Sequence, residues 1–234
     1  MQTQCSTNLA SIGRAFYIYS TENNGELLFD PFVARSANQH NIYHLWGGRS
    51  MAWEYPRYIP APYSLANPYD RLLNQYLASD SGASSVPPAY VCPSDPPGDT
   101  KRWAPLDNES GNHAYYSTTG TSYQYNAQLV GTTLALGTDS TPGYNYVEQI
   151  KETSRVVLFN EWPAYDAPQS FVRPGGWTDL PRWSFHDKNG AGIDPRNEQP
   201  GLVGNMTNFA DGHVEYLQYV VGQWETDEYS HTDQ

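Results

Sequence analysis

The chain has 234 residues, enough for one sizeable hydrophobic core and, at about 150 residues per domain, read here as a single domain. Thirteen basic against 25 acidic side chains give a formal charge of −12, which repels a phosphate backbone and argues against nucleic acid as a partner. With 14% aromatic and only 16% charged residues the composition suits a folded, loop-rich chain rather than a disordered one, and no window approaches the ~18 consecutive apolar residues of a membrane-spanning helix.

The first element is carried by "CSTNLASIGRAFYIYSTENNG". Cys5, Leu9, Ile12, Phe16 and Tyr19 recur at helical spacing and form one apolar stripe, which needs a partner surface. Asn23-Asn24-Gly25 follows with residues that tolerate a left-handed backbone, Gly25 being the expected stop. At the other end only Thr3 offers a weak cap, so the helix reads as one that has begun in mid-course. Residues 26–69, with "HLWGGRSMAWEYPRYIPAPY", show neither helical nor strand period and read as long loops.

A short second helix is expected in "NPYDRLLNQYLAS", where Leu72, Leu73, Tyr76 and Leu77 cluster on one side and Asn67 with Pro68 can start it. The prolines of "SGASSVPPAYVCPSDPPGD" forbid a helix, and Tyr90 to Cys92 is expected as a short strand ending in a Pro-Ser-Asp turn. "HAYYSTTGTSYQYNAQLV" alternates as edge or hairpin strands do. "RVVLFNEW", Arg155 to Trp162, is the most apolar run and the expected central strand. Residues 163–204 read as loop, and "TNFADGHVEYLQYV" as a hairpin. Its Asp211-Gly212 would form a two-residue turn, pairing Phe209 with Val214 and Ala210 with His213. That register puts Phe209 and Val214 toward the core and Asn208, His213 and Glu215 on the opposite face.

The chemistry-bearing residues are sparse. Cys5 and Cys92 are too few and too far apart for a zinc ribbon, which leaves a disulfide or two buried thiols. Neither G-x-S-x-G, H-E-x-x-H nor S-x-x-K occurs, so no catalytic residue and no enzymatic activity is assigned. No phosphate-cradling glycine motif occurs either, and no cofactor is expected. Glu161, His186, Asp211 and His213 are metal-ligand types, but an Asp-Gly turn already explains Asp211, and no metal is assigned. Among the tryptophans of the loop segments, Trp46, Trp53, Trp177 and Trp183 offer flat apolar faces for a glycan. The favoured reading is that such side chains anchor loops to the sheet.

Five stretches, the N-terminal "CSTNLASIGRAFYIYSTENNG", "RLLNQYL", "YVCPSDP", "TSYQYN" and "FADGHVEYL", resemble in that order the bacterial pilin-like proteins. These carry a prepilin-type cleavage and methylation N-terminus and an H-x(9)-D-G signature, and are relatives of type II secretion pseudopilins. The resemblance implies an α+β, pilin-like fold, a long N-terminal helix packed on a mainly antiparallel β-sheet with long aromatic-rich loops. Residues 1–25 would be the distal half of the first helix and 26–234 the globular head of the same domain. The hydrophobic half-helix and its peptidase site would precede Met1, which would then be an introduced start.

The function implied is structural: a membrane-anchored subunit of a type II secretion or type IV pilus-like system, with other pilin-like subunits as partners. It would sit in the inner membrane with a periplasmic or extracellular head, or at the cell surface. Extracytoplasmic glycan binding through loop tryptophans is the alternative. Cys5 and Cys92 belong to motifs of the resembled family, and the oxidising compartment it implies makes them a disulfide partnership. In the chain-entropy treatment that bond would stabilise by about 4.5 kcal/mol. Phe209, Asp211, Gly212 and His213 would form an architectural hairpin motif. The chain departs from the family's pattern twice: residues 187–210 separate His186 from Asp211, where the signature has nine, and Phe159-Asn160-Glu161 stands where an acidic residue usually follows the central strand.

Overall fold

The computed structural model describes residues 2–28, 46–48, 72–77, 87–95, 121–126, 129, 146–161, 202–220 and 226–230. Helix α1 spans Gln2–Glu22. All five expected stripe residues, Cys5, Leu9, Ile12, Phe16 and Tyr19, are buried. Asn8, Gly13, Ala15 and Ser20 widen the buried face, so the helix lies broadly against what it covers. The helix closes through Asn24 (φ 57°) and Gly25 (φ 85°), with the Gly25 N–H donating to the Ser20 carbonyl at 2.7 Å. This is a six-to-one closure in which Asn24, one residue ahead of the expected Gly25, takes the first left-handed position.

The surface under α1 is a four-stranded sheet in the order β1-β2-β3-β4, antiparallel throughout. Its strands are β1 (Tyr123–Tyr125), β2 (Val157–Glu161), β3 (Leu202–Phe209) and β4 (Val214–Val220). The class is therefore α+β. β2, the expected central strand, has neighbours on both sides and is buried along its whole length. Its register shifts between Val157, opposite Phe209, and Phe159, opposite Asn208. The extra residue is Leu158, and the bulge lets a continuous apolar run serve both faces of the sheet. β3 begins at Leu202, so residues 202–204 are strand where loop was expected.

One apolar cluster joins α1 to the sheet. Phe16 meets Phe159 and Tyr125 at ring-centroid distances of 5.9 and 6.4 Å, and Trp46 meets Phe159 at 4.7 Å. The opposite face buries Val157, Phe209 and Tyr219, with Tyr229 4.5 Å from Tyr219. Tyr229 arrives on the segment 226–230, which is held beside the start of β2. Val157 N–H donates to the Ser230 carbonyl, and Ser230 N–H to that of Arg155, both at 2.8 Å.

Two expectations for the middle of the chain change. The second helix, α2, is one turn, Asn74–Leu77, with Leu73 fully buried just before it; Asn67 and Pro68 lie outside the described residues. Asn74 faces inward because its side-chain amide closes a two-bond ring with the Gly48 backbone, at 2.8 and 2.7 Å. Tyr90 to Cys92 is not a strand. Pro88–Tyr90 forms a 3-10 turn, since Pro87 and Pro88 fix φ and remove donors, and Val91 then extends alongside β1. Ser122 N–H bonds the Tyr90 carbonyl there at 2.9 Å.

Candidate functional site

Two places gather the residues singled out by sequence. At the tip of β3 and β4, Asn208 pairs with Val214, Phe209 N–H bonds the His213 carbonyl at 3.0 Å, and Gly212 N–H bonds that of Phe209 at 2.9 Å. The loop is thus three residues, Ala210-Asp211-Gly212, with Gly212 at φ 91°. This is the turn followed by a left-handed glycine that makes a bulged hairpin, and it replaces the expected two-residue turn. The pairing moves by one residue, and one residue exchanges the faces of a strand. Phe209 shares a face with His213, their rings stacked at 4.2 Å and 11°. Asn208, expected opposite the core, instead shares Val214's face and lies fully buried beneath α1.

Local polar bonds hold this tip. Asp211 Oδ1 accepts from the His213 N–H at 3.1 Å and lies 2.5 Å from His213 Nδ1. Asn208 Nδ2 donates to the carbonyls of Gly212 and His213 at 3.2 and 3.3 Å. From α1, the Tyr17 hydroxyl donates to the Ala210 carbonyl. Burial, and then the nearby Asp211 carboxylate, push the Tyr17 phenol above its ordinary value. Asp211 and His213 are exposed, and each contact serves the turn. The tip is thus tied by local bonds of Asp211, His213 and the Asn208 Nδ2, while the buried Asn208 Oδ1 has no hydrogen-bond partner among the described residues.

The second place lies toward the far end of the sheet. Cys5 and Cys92 are joined in a disulfide, Cα–Cα 5.3 Å, linking the first turns of α1 to the segment after the 3-10 turn. Glu161, at the end of β2, is fully buried beside it. Its Oε2 accepts from the Met206 N–H at 2.9 Å, and its Oε1 lies 3.1 Å from Cys92 Sγ. Around this layer Asn8 Nδ2 donates to the Val91 carbonyl at 2.7 Å and to the Tyr123 hydroxyl at 3.1 Å. Burial, reinforced by the Glu161 carboxylate, raises the Tyr123 phenol well above its ordinary value.

The four metal-ligand types noted in the sequence are not brought together among the described residues. Glu161 sits near Met206, while Asp211 and His213 close the other end of β3, and His186 lies outside the described residues. What converges is a different set, Cys5, Cys92 and Glu161, whose ligand atoms lie within 4.8 Å of one another. Sequence reasoning missed it because no spacing relates three residues on three separate segments. Trp46 is 2% exposed and packs on Tyr90 and Phe159, an anchor in the core rather than a platform for a glycan. Trp53, Trp177 and Trp183 lie outside the described residues. No helix among the described residues is long and apolar enough to cross a membrane. No family model matches the chain, and no curated protein or solved structure matches it at a significant level.

Proposed function

We propose that the chain is the head and distal first helix of a pilin-like, pseudopilin-type subunit, working structurally in a type II secretion or type IV pilus-like system. The observation that carries this reading is the two-sidedness of α1. One face is buried on an antiparallel sheet, while Thr7, Ala10, Arg14, Ile18 and Thr21 form an exposed stripe along the other, with Ile18 42% exposed. A helix continued upstream as an apolar segment would anchor the subunit in the inner membrane and present this stripe to neighbouring pilin-like subunits. The cysteine bond at its start suits an oxidising, extracytoplasmic head.

The test is the complete reading frame, expressed with a prepilin peptidase and followed by fractionation and mass spectrometry of the mature N-terminus. The expected product is membrane-bound, shortened and N-methylated. A reading frame without an apolar segment ahead of residue 1, or a product left soluble and unprocessed, removes the assembly reading. A glycan array then becomes the next experiment.

A further inference from the structure

We propose that the Cys5–Cys92 disulfide is the oxidised form of a metal site, and that on reduction Cys5, Cys92 and Glu161 together take a thiophilic divalent cation of the zinc type. The two sulfurs and a Glu161 oxygen already lie within 4.8 Å of one another, and all three residues are fully buried. A zinc ion with bonds of about 2.3 Å to sulfur places tetrahedral ligand atoms about 3.8 Å apart, so modest side-chain rotation suffices. Among the described residues these three are the ligands, and the fourth tetrahedral position is left to water or another donor.

Glu161 is already aimed. Met206 N–H fixes Oε2 at 2.9 Å, which turns Oε1 toward Cys92 Sγ at 3.1 Å. A disulfide sulfur carries no proton and donates nothing to Oε1 in the oxidised protein, where Cys92 Sγ instead accepts from the Ser94 N–H at 3.4 Å. A carboxylate oxygen is held against sulfur by the surrounding fold. The disulfide is not alone in tying the three segments: Asn8, one turn after Cys5, bonds both the carbonyl beside Cys92 and the hydroxyl of Tyr123, whose backbone pairs with Glu161. Such outer hydrogen bonds keep ligands oriented.

Charge supplies the driving force. Two-electron reduction by a phosphine converts the disulfide to two thiols, the phosphine being oxidised to its oxide with water as the oxygen source. Metal binding then releases the two thiol protons. Two thiolates and a carboxylate crowded together in the interior repel one another, and a divalent cation cancels much of that charge.

The experiment titrates Co²⁺ into the phosphine-reduced protein and reads thiolate-to-cobalt charge-transfer absorption, with far-UV circular dichroism recorded alongside and Zn²⁺ as competitor. The expected result is a saturable band in the reduced protein, displaced by zinc and absent from the oxidised protein. E161Q should bind roughly tenfold or more weakly, and C92S should lose the band. Absence of the band in the reduced wild type overturns the proposal. So does an affinity in E161Q equal to wild type, whether the reduced chain is folded or has unfolded and merely offers two loose thiolates.

Discussion

Replacing Gly13 with alanine tests how closely α1 lies on β3. A Cβ at Gly13 would stand 2.8 Å from Asn208 Nδ2, 2.9 Å from its Oδ1 and 3.1 Å from its Cγ. Asn208 is fully buried and its amide is engaged with the hairpin carbonyls, so it has little room to yield. Overpacking of this kind costs about 1–3 kcal/mol, and displacing the two amide bonds adds about 1 kcal/mol each. Against this, alanine is better than glycine inside a helix by about 1 kcal/mol. The balance is a net loss of about 2–4 kcal/mol, which for a chain of this size lowers Tm by about 4–16 °C. Paired thermal and urea unfolding of Gly13→Ala measures it. The decisive comparison is Gly13→Ala in an Asn208→Ala background: with the amide gone, only the helix propensity remains and the substitution should stabilise, by about 1 kcal/mol. A Gly13→Ala protein as stable as wild type, or one whose loss persists without Asn208, would refute the close approach.

Replacing both Cys5 and Cys92 with serine releases a tie across a sequence separation of 87, and the urea midpoint should fall by the equivalent of about 4.5 kcal/mol; an unmoved midpoint contradicts the covalent tie. Alanine at Gly47 would place Cβ 2.5 Å from the fully buried ring of Tyr90, whereas at Gly204 it would run into the hydroxyl and ring of Tyr216, an exposed side chain that can swing toward solvent. Gly47→Ala should therefore cost about 1–3 kcal/mol and Gly204→Ala clearly less, and melting curves in the reverse order would reject this. Burial raises the phenols of Tyr123, Tyr125 and Tyr219 well above the ordinary value. Below about pH 10 these groups are neutral in both states and their contribution is intact. Above it the unfolded chain ionises first, and stability drops by up to about 1.4 kcal/mol per pH unit for each. Urea midpoints that stay level between about pH 9 and pH 11 would contradict that burial.

What the sequence made legible was local or strongly periodic. The α1 stripe is visible because five residues at helical spacing need nothing else to define a face, and β2 because its apolar run serves both sides of the sheet. The hairpin at Asp211-Gly212 was located correctly, but its register was not. A two-residue and a three-residue loop use the same Asp-Gly pair, and the choice depends on the seating of Asn208 under Gly13, a contact between distant segments. Tyr90 to Cys92 looked extended by composition, yet two prolines before it favoured a tight turn. The pairing of Cys5 with Cys92 followed from a family resemblance rather than from spacing. The place of Glu161 beside that bond follows from the order of the strands and could not be read from the chain.

The bond between Cys5 and Cys92 also decides how the molecule would bear tension. Pulling on the start of α1 would ordinarily peel the helix from the sheet one turn at a time, each turn yielding separately. With the covalent tie in place the load leaves the helix at Cys5 and enters the segment alongside β1, so the helix is bypassed. The 87 residues of sequence separation are then hidden from the applied force, withholding roughly 300 Å of extended chain. Under load from that end, the oxidised domain lets out only the chain beyond Cys92, and reduction adds the length that the bond had held back.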